Sequence, residues 1–407
     1  MTAQMHNFML ILNTAMHHGE NVKPMQLEEP VDWAYLSMQA RRQNLLPIFV
    51  DIAQQYESYC TYPGFAKDTQ DAMAMVTAQI QKSVEFLDLY NAFLSQGLSP
   101  VVFKGIVLRQ IYGQYGDLRI SGDEDILIQP EEYEAVRKVL EDKGFQCAHP
   151  DLTKRQLARM HEVRFYRPEI QLNIEVHLNI FGEANRVHAY MNRTVHPFAD
   201  TETLEIEGVP LRVMNPSQAY LCLVFHSFKH FLAKGMGIRH IMDLLQYEQT
   251  YKERICFAEI EAFIKTIHAD AFLRDIRWIG RRYFNLPAEE NTQVCCPQEL
   301  LEDIIDTHIF VDSEKVNRYA SNISMASGSL DTKNWKLRGL LRGAFPHRAQ
   351  LIERYPYLEE RPWLLPAVWV LRFVKFRRYE GKGNIPAVYE ALNKAEKHIK
   401  LLRQYRQ

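Results

Sequence analysis

Apolar residues recur at three- and four-residue spacing through much of residues 1–97, as in RQNLLPIFVDIAQQY and QIQKSVEFLDLYNAFLSQG. That period predicts helices. Gly97 follows the second stretch, where a helix C-cap glycine belongs. From residue 98 the texture changes. VVF after Pro100 is a short buried-strand signal, Lys104 and Gly105 follow, and IVLRQIYGQYG resumes a helical period. DEDILI reads as a strand that is over by Pro130. EEYEAVRKVLEDKG is a well-marked helix, with acids in its first turn, Tyr133, Val136 and Leu140 on one face, and Gly144 as cap. HEVRFY and IQLNIEVHL read as strands around the turn RPE, and TLEIEGVPLRVM as a hairpin turning at Glu207 and Gly208. After Pro216 the chain is helical again, most clearly in PSQAYLCLVFHSFKHFLAKG, RHIMDLLQYEQ and FAEIEAFIKTI, with an exposed loop predicted at 323–334. The expected fold class is α+β. A small mixed-sheet core at 98–214 stands between a helical N-terminal region, 1–97, and a helical C-terminal domain, 215–407.

Composition refines this only slightly. The chain has 407 residues, 47% of them hydrophobic and 24% charged, with a formal net charge of −2. Such a chain is not a polycation, so bulk charge does not argue for nucleic acid. Six cysteines occur without a CxxC pair, which reads as reduced thiols in a cytoplasmic protein. The start, MTAQMHNFMLILNTAMHHGE, lacks the basic region of a secretory signal, and WLLPAVWVL is too short to span a bilayer.

Three carboxylates, Asp123, Glu124 and Asp125, stand directly before an apolar strand. Side chains alternate along a strand, so Asp123 and Asp125 point the same way. Two anions that close repel each other, and a bound Mg²⁺ (or Mn²⁺) turns the repulsion into affinity. A solvated loop is the plain alternative. QLNIEVHL alternates strictly, with Leu172, Ile174, Val176 and Leu178 on one face and Gln171, Asn173, Glu175 and His177 on the other. Glu175 is thus a candidate third ligand, or the base that deprotonates an attacking hydroxyl. In VVFKG a glycine between strand and helix lets backbone N–H groups approach a phosphate, and Lys104 adds charge there.

The order strand–KG–helix–RxSGDxD–strand–helix–strand–ExH resembles the nucleotidyltransferase family of the polymerase-β-like superfamily, in its branch with a KG motif. The resemblance is carried by FKGIVLRQIYGQYGDLRISGDEDILI, by PSQAYLCLVFHSFKHF and by GIRHIMDLL, and is best from about 81 to 247. It implies attack by an acceptor hydroxyl or phosphate on the α-phosphorus of an NTP, with release of pyrophosphate. Asp123, Asp125 and Glu175 would hold the metal, and Lys104, Gly105, Arg119 and Ser121 would contact the triphosphate. It further implies that His226, Lys229 and His230 line the cleft opposite the acids, with His177, Arg239 and Asp243 nearby. Two positions depart from the superfamily pattern. Lys104-Gly105 replaces a Gly-Ser or Gly-Gly pair, and Glu124 replaces an apolar residue. The expected place for Glu124 is the exposed edge of its strand.

His226 and His230, four apart on a helix, could also bind zinc, but no third ligand is evident and packing inside a bundle is the stronger reading. Arg239 and Asp243 have the spacing of a helix salt bridge. The tail from 371 is rich in basic and aromatic residues, a pattern compatible with RNA, although a solvated helix face explains it better. Trp363 and Trp369 are expected to pack. Two rival functions remain beside the transferase: a non-catalytic binding protein of the same fold, and RNA-directed nucleotide addition.

Overall fold

The computed structural model describes residues 2–17, 24–157, 160–182, 186–233, 236–287, 293–306, 345–352, 354–379 and 396–405. Its centre is a seven-stranded mixed sheet flanked by helical regions, so the α+β reading holds. The strands are β1 (Val101–Phe103), β2 (Glu124–Leu127), β3 (Gln146–Cys147), β4 (Glu162–Arg167), β5 (Leu172–His177), β6 (Glu202–Ile206) and β7 (Val209–Val213). Their spatial order is β3-β4-β5-β2-β1-β7-β6. β1 runs antiparallel to β2, while β2 and β5 pair in parallel at the middle of the sheet.

Alternation along these strands sorts the two faces. Val102, Ile126, Ile174, Val176 and Leu211 turn one way and pack under Phe86, Tyr90 and Phe93 of the Phe65–Ser95 helix and under Tyr133, Val136 and Leu140 of the Tyr133–Asp142 helix. Burying such a side chain is worth about 1.5–3 kcal/mol, which ties the register of β2 and β5 to this core. Val101, Phe103 and Leu127 turn the other way, into a second cluster with Leu223 and Phe225 of the Pro216–Leu232 helix and Leu244 of the Ile238–Tyr251 helix. N-terminal residues such as Phe8, Leu36 and Phe49 belong to that same cluster.

The local signals act as expected at several points. Gly97 has φ +72°, and the N–H of Leu98 reaches back to the Phe93 carbonyl at 3.0 Å. Glu207 and Gly208 both have positive φ, as a two-residue primed hairpin turn requires. Asn215 caps the Pro216–Leu232 helix by accepting from the N–H of Gln218 at 3.0 Å, with Pro216 in the first turn.

IVLRQIYGQYG is helical with a kink: Gly105–Arg109 is α-helical, and Gln110–Leu118 continues as a 3₁₀ segment broken by Gly113 at φ +52°. One expectation fails. Trp363 is 72% exposed rather than packed, because it stands in a short 3₁₀ turn that leads into the Leu365–Tyr379 helix. Trp369 does pack, and its indole N–H donates to the Pro346 carbonyl at 3.0 Å. The loop expected at 323–334 and the tail from 380 to 395 lie outside the described residues. Among the described residues no helix is long and apolar enough to cross a membrane.

Candidate active site

The sheet register settles where the acids go. Asp125 on β2 lies directly opposite Glu175 on β5, and Phe103 at the end of β1 is the partner of Asp125 on the other side. Asp123, one residue before β2, shares the space in front of them. Burial, and after it the charges of Asp125 and Glu175, push the Asp123 carboxyl up to about 6. That mutual repulsion is the electrostatic signature of three acids converging from separate stretches of chain. They border an open cleft of about 440 Å³ between the sheet and the helices Pro216–Leu232 and Ile238–Tyr251.

Three cations balance the acids. Lys104 Nζ is 2.8 Å from Asp125 Oδ1, and His177 Nε2 is 2.8 Å from the same oxygen. Arg164, on the adjoining β4, reaches Glu175 Oε1 at 3.0 Å. Burial alone would raise the Asp125 carboxyl, but Lys104 and His177 hold it below its ordinary value. Burial likewise opposes the charge on Lys104, and Asp125, Asp123 and Glu175 outweigh it, keeping the ammonium charged. His177 follows the same logic: burial works against its proton, and hydrogen bonds to Asp125 and Glu175 raise it above the usual imidazole value.

The donor set suits a hard divalent cation. One oxygen each of Asp125 and Glu175 and a nitrogen of His177 lie within 4.8 Å of one another. With Asp123 beside them, carboxylate oxygens predominate, the ligand chemistry Mg²⁺ prefers. Among the described residues the buried Nδ1 of His177 has no hydrogen-bond partner.

Lys104 reaches Asp125 because the backbone turns sharply after β1. Its φ of 62° and ψ of −141° are strained for a residue with a Cβ. Gly105 follows at φ +38°. This glycine permits a close approach to Glu124. Glu124 is 1% exposed, and its Oε2 accepts from the Ile106 N–H at 2.7 Å. The expected placement of Glu124 at an exposed edge is therefore wrong. Alternation sends its side chain to the face away from Asp125, beneath the turn, where it occupies the start of the Gly105–Arg109 helix. Burial pushes its carboxyl up to about 8, against the pull of the Ile106 N–H and of Arg109. A Cβ on Gly105 would stand 2.0 Å from Glu124 Oε2 and 2.7 Å from its Cδ, at a backbone angle that L residues resist. Gly105→Ala should thus lower thermal stability by about 1–3 kcal/mol, read from urea unfolding. A change below about 0.5 kcal/mol would mean that Glu124 is free to leave its pocket.

Arg119, which borders the cleft, is also engaged within the protein. Its guanidinium is buried and grips Asp243 with two bonds, Nε to Oδ1 at 2.6 Å and the second nitrogen to Oδ2 at 2.7 Å. It further donates to Ser121 Oγ at 3.1 Å, and Tyr112 donates its hydroxyl hydrogen to Asp243 at 2.7 Å. This fork is committed to protein and holds the segment before the acids in place. Ser121 is anchored too, with its N–H donating to Gln79 Oε1 at 2.7 Å, though it still borders the cleft. Asp243 therefore pairs across the cleft floor with Arg119, rather than along its own helix with Arg239. Arg239 donates instead to the Ile120 carbonyl.

His226, Lys229, His230 and Arg239 do border the cleft, on the wall facing the acids. The sequence reading missed Arg164, Glu162 and His161, which border it as well. Alternation in HEVRFY puts Glu162 and Arg164 on one face, a signal that was available. It also missed His240, which meets His226 and His230 from the next helix. Only the packing of two helices brings that ring in.

A family model described as uncharacterised nucleotidyltransferase matches residues 29–285, more than half of the chain. The match takes in the whole sheet and both helices that face it. No curated protein and no solved structure matches.

Proposed function

The chain belongs to the uncharacterised nucleotidyltransferase family, and from that premise we propose a Mg²⁺-dependent enzyme that moves a nucleoside monophosphate from an NTP to an acceptor. The acceptor offers a hydroxyl or phosphate oxygen on a small molecule, a sugar phosphate or a protein. A bond forms between that oxygen and the α-phosphorus, the bond from the α-phosphorus to the bridging oxygen breaks, and pyrophosphate leaves. The observation that carries this reading is the direct pairing of Asp125 with Glu175, with Asp123 in the same space.

Asp123, Asp125 and Glu175 would hold the metal. When bound, Mg²⁺ neutralises phosphate charge and polarises the phosphoryl oxygens. The chain's own residues do the rest. Lys104, 2.8 Å from Asp125 at the mouth of the turn after β1, would offer its ammonium to the triphosphate. His177 fixes the orientation of Asp125, and Arg164 that of Glu175. Glu175 is placed to accept the proton of an attacking hydroxyl. Arg119 and Asp243 position the segment that presents Asp123 without touching substrate.

The test is direct. The protein is incubated with each NTP, Mg²⁺ and a metabolite extract, and pyrophosphate is followed. Release is expected from the wild type, none after chelation of divalent metal, and at least about tenfold less from Glu175→Gln. Equal release by both proteins would discard the catalytic reading in favour of a binding protein of this fold.

A further inference from the structure

The cleft wall that faces the carboxylates carries one lysine and three histidines close together. His226, Lys229 and His230 project from the Pro216–Leu232 helix, and His240 stands in the first turn of the Ile238–Tyr251 helix. Ring centroids are 4.4 Å apart for His226 and His230, 5.1 Å for His230 and His240, and 5.9 Å for His226 and His240. Among the described residues the Lys229 ammonium makes no salt bridge, and its Nζ lies over the Phe181 ring, 5.7 Å from the centroid. His226 and His230 make no hydrogen bond among the described residues either. His240 accepts from the Gly237 N–H through Nδ1 at 3.2 Å, so the hydrogen of its neutral ring sits on Nε2.

These half-buried donors face an open cleft together, and a group rich in acceptors and negatively charged would satisfy them at once. Burial, and next the charge of Lys104, lower the proton affinity of Lys229, as an added anion would reverse. A phosphate fits the chemistry: several oxygens, each able to take an N–H from an imidazole or an ammonium. We infer that Lys229, His226, His230 and His240 form an oxyanion subsite for a phosphate group, and that the acceptor substrate carries that phosphate. The second half rests on the nucleotidyltransferase reading; the first does not. In-line displacement puts acceptor and pyrophosphate on opposite sides of the α-phosphorus. With Lys104 beside the acids at one side of the cleft, the histidine wall is left to the acceptor.

The same nitrogens, within 4.8 Å of one another, could instead surround a transition metal. Lys229 on the same cleft wall and the Nδ1 of His240, occupied by the Gly237 N–H, favour the anion.

Isothermal titration of the full chain with inorganic phosphate, without nucleotide or metal, reads the subsite alone. Repeating it with Mg²⁺ and a bound NTP analogue carrying an α,β-methylene link separates the two sources of phosphate. Wild type should bind phosphate in both cases. Lys229→Met and His226→Leu should each weaken it at least about tenfold, while analogue affinity stays within about threefold. Lys229→Arg, which keeps charge and donors, should retain binding and serves as the control for folding. Absent phosphate binding, or binding unchanged by these variants, overturns the subsite. Competition between phosphate and analogue assigns the wall to the triphosphate and overturns the acceptor half. Stoichiometric Zn²⁺ binding lost in His240→Ala would replace the proposal with a metal site. Phosphate binding without pyrophosphate release in the turnover assay would leave the subsite standing and sink only the catalytic reading.

Discussion

Asp125→Asn will lower pyrophosphate release by about 10³-fold or more, with the protein still folded. The carboxylate sits where three demands meet. It balances Lys104 and His177 through one oxygen, it faces Glu175 across a parallel pair of strands, and it borders the open cleft. Asparagine keeps the shape but brings no charge, so a metal-held triphosphate would lose several kcal/mol of charge stabilisation in the transition state; each 1.36 kcal/mol is tenfold in rate. The stability effect should be smaller. Lys104 loses one counter-ion but keeps Asp123 and Glu175 within electrostatic reach. Turnover and the urea midpoint measured on the same preparation separate the two effects. More than a tenth of wild-type turnover in a folded Asp125→Asn protein would remove Asp125 from the reaction.

Asp243→Ala carries the largest expected cost in stability, about 3–5 kcal/mol, because it strands a buried guanidinium. Arg119 would lose two charge-assisted bonds, and the Tyr112 hydroxyl would lose its acceptor. The cost is mostly the penalty of an unpaired charge, which predicts a rescue. Arg119→Met combined with Asp243→Leu should recover at least half of the loss, since a packed apolar pair needs no counter-ion. Denaturant unfolding of the single and double variants checks this, and a single-variant loss below about 1 kcal/mol would show that Arg119 finds another partner. Turnover should fall in Asp243→Ala and return only partly in the double variant, because Arg119 also holds Ser121.

Much of this was legible in the sequence where one short stretch holds the whole signal. QLNIEVHL declares its two faces by alternation, and the structure buries Leu172, Ile174 and Val176 on one and turns Glu175 and His177 into the cleft. Gly97 and the Glu207-Gly208 turn are likewise local statements about backbone geometry. What stayed hidden depends on chain segments far apart. Arg119 looked free to meet a phosphate because nothing nearby in sequence could claim it; its partner is 124 residues away. Glu124 looked misplaced on an inward face because the N–H that donates to its carboxylate belongs to Ile106, in the short helix that follows β1. The third histidine is invisible until two helices pack. Trp363 was misjudged for the opposite reason, an apolar side chain being taken as sufficient cause for burial.

The carboxyl of Glu124 lodged under Ile106 has one more implication. In a loop whose main chain is open, nucleotide recognition is written into peptide geometry and is hard to retune. Here that peptide is already engaged by the protein's own acid. Whatever hold the cleft has on a polyphosphate falls to long, rotatable side chains such as Lys104. Grip of that kind responds to ionic strength and to single substitutions, so substrate range on this scaffold can drift while the backbone stays as it is.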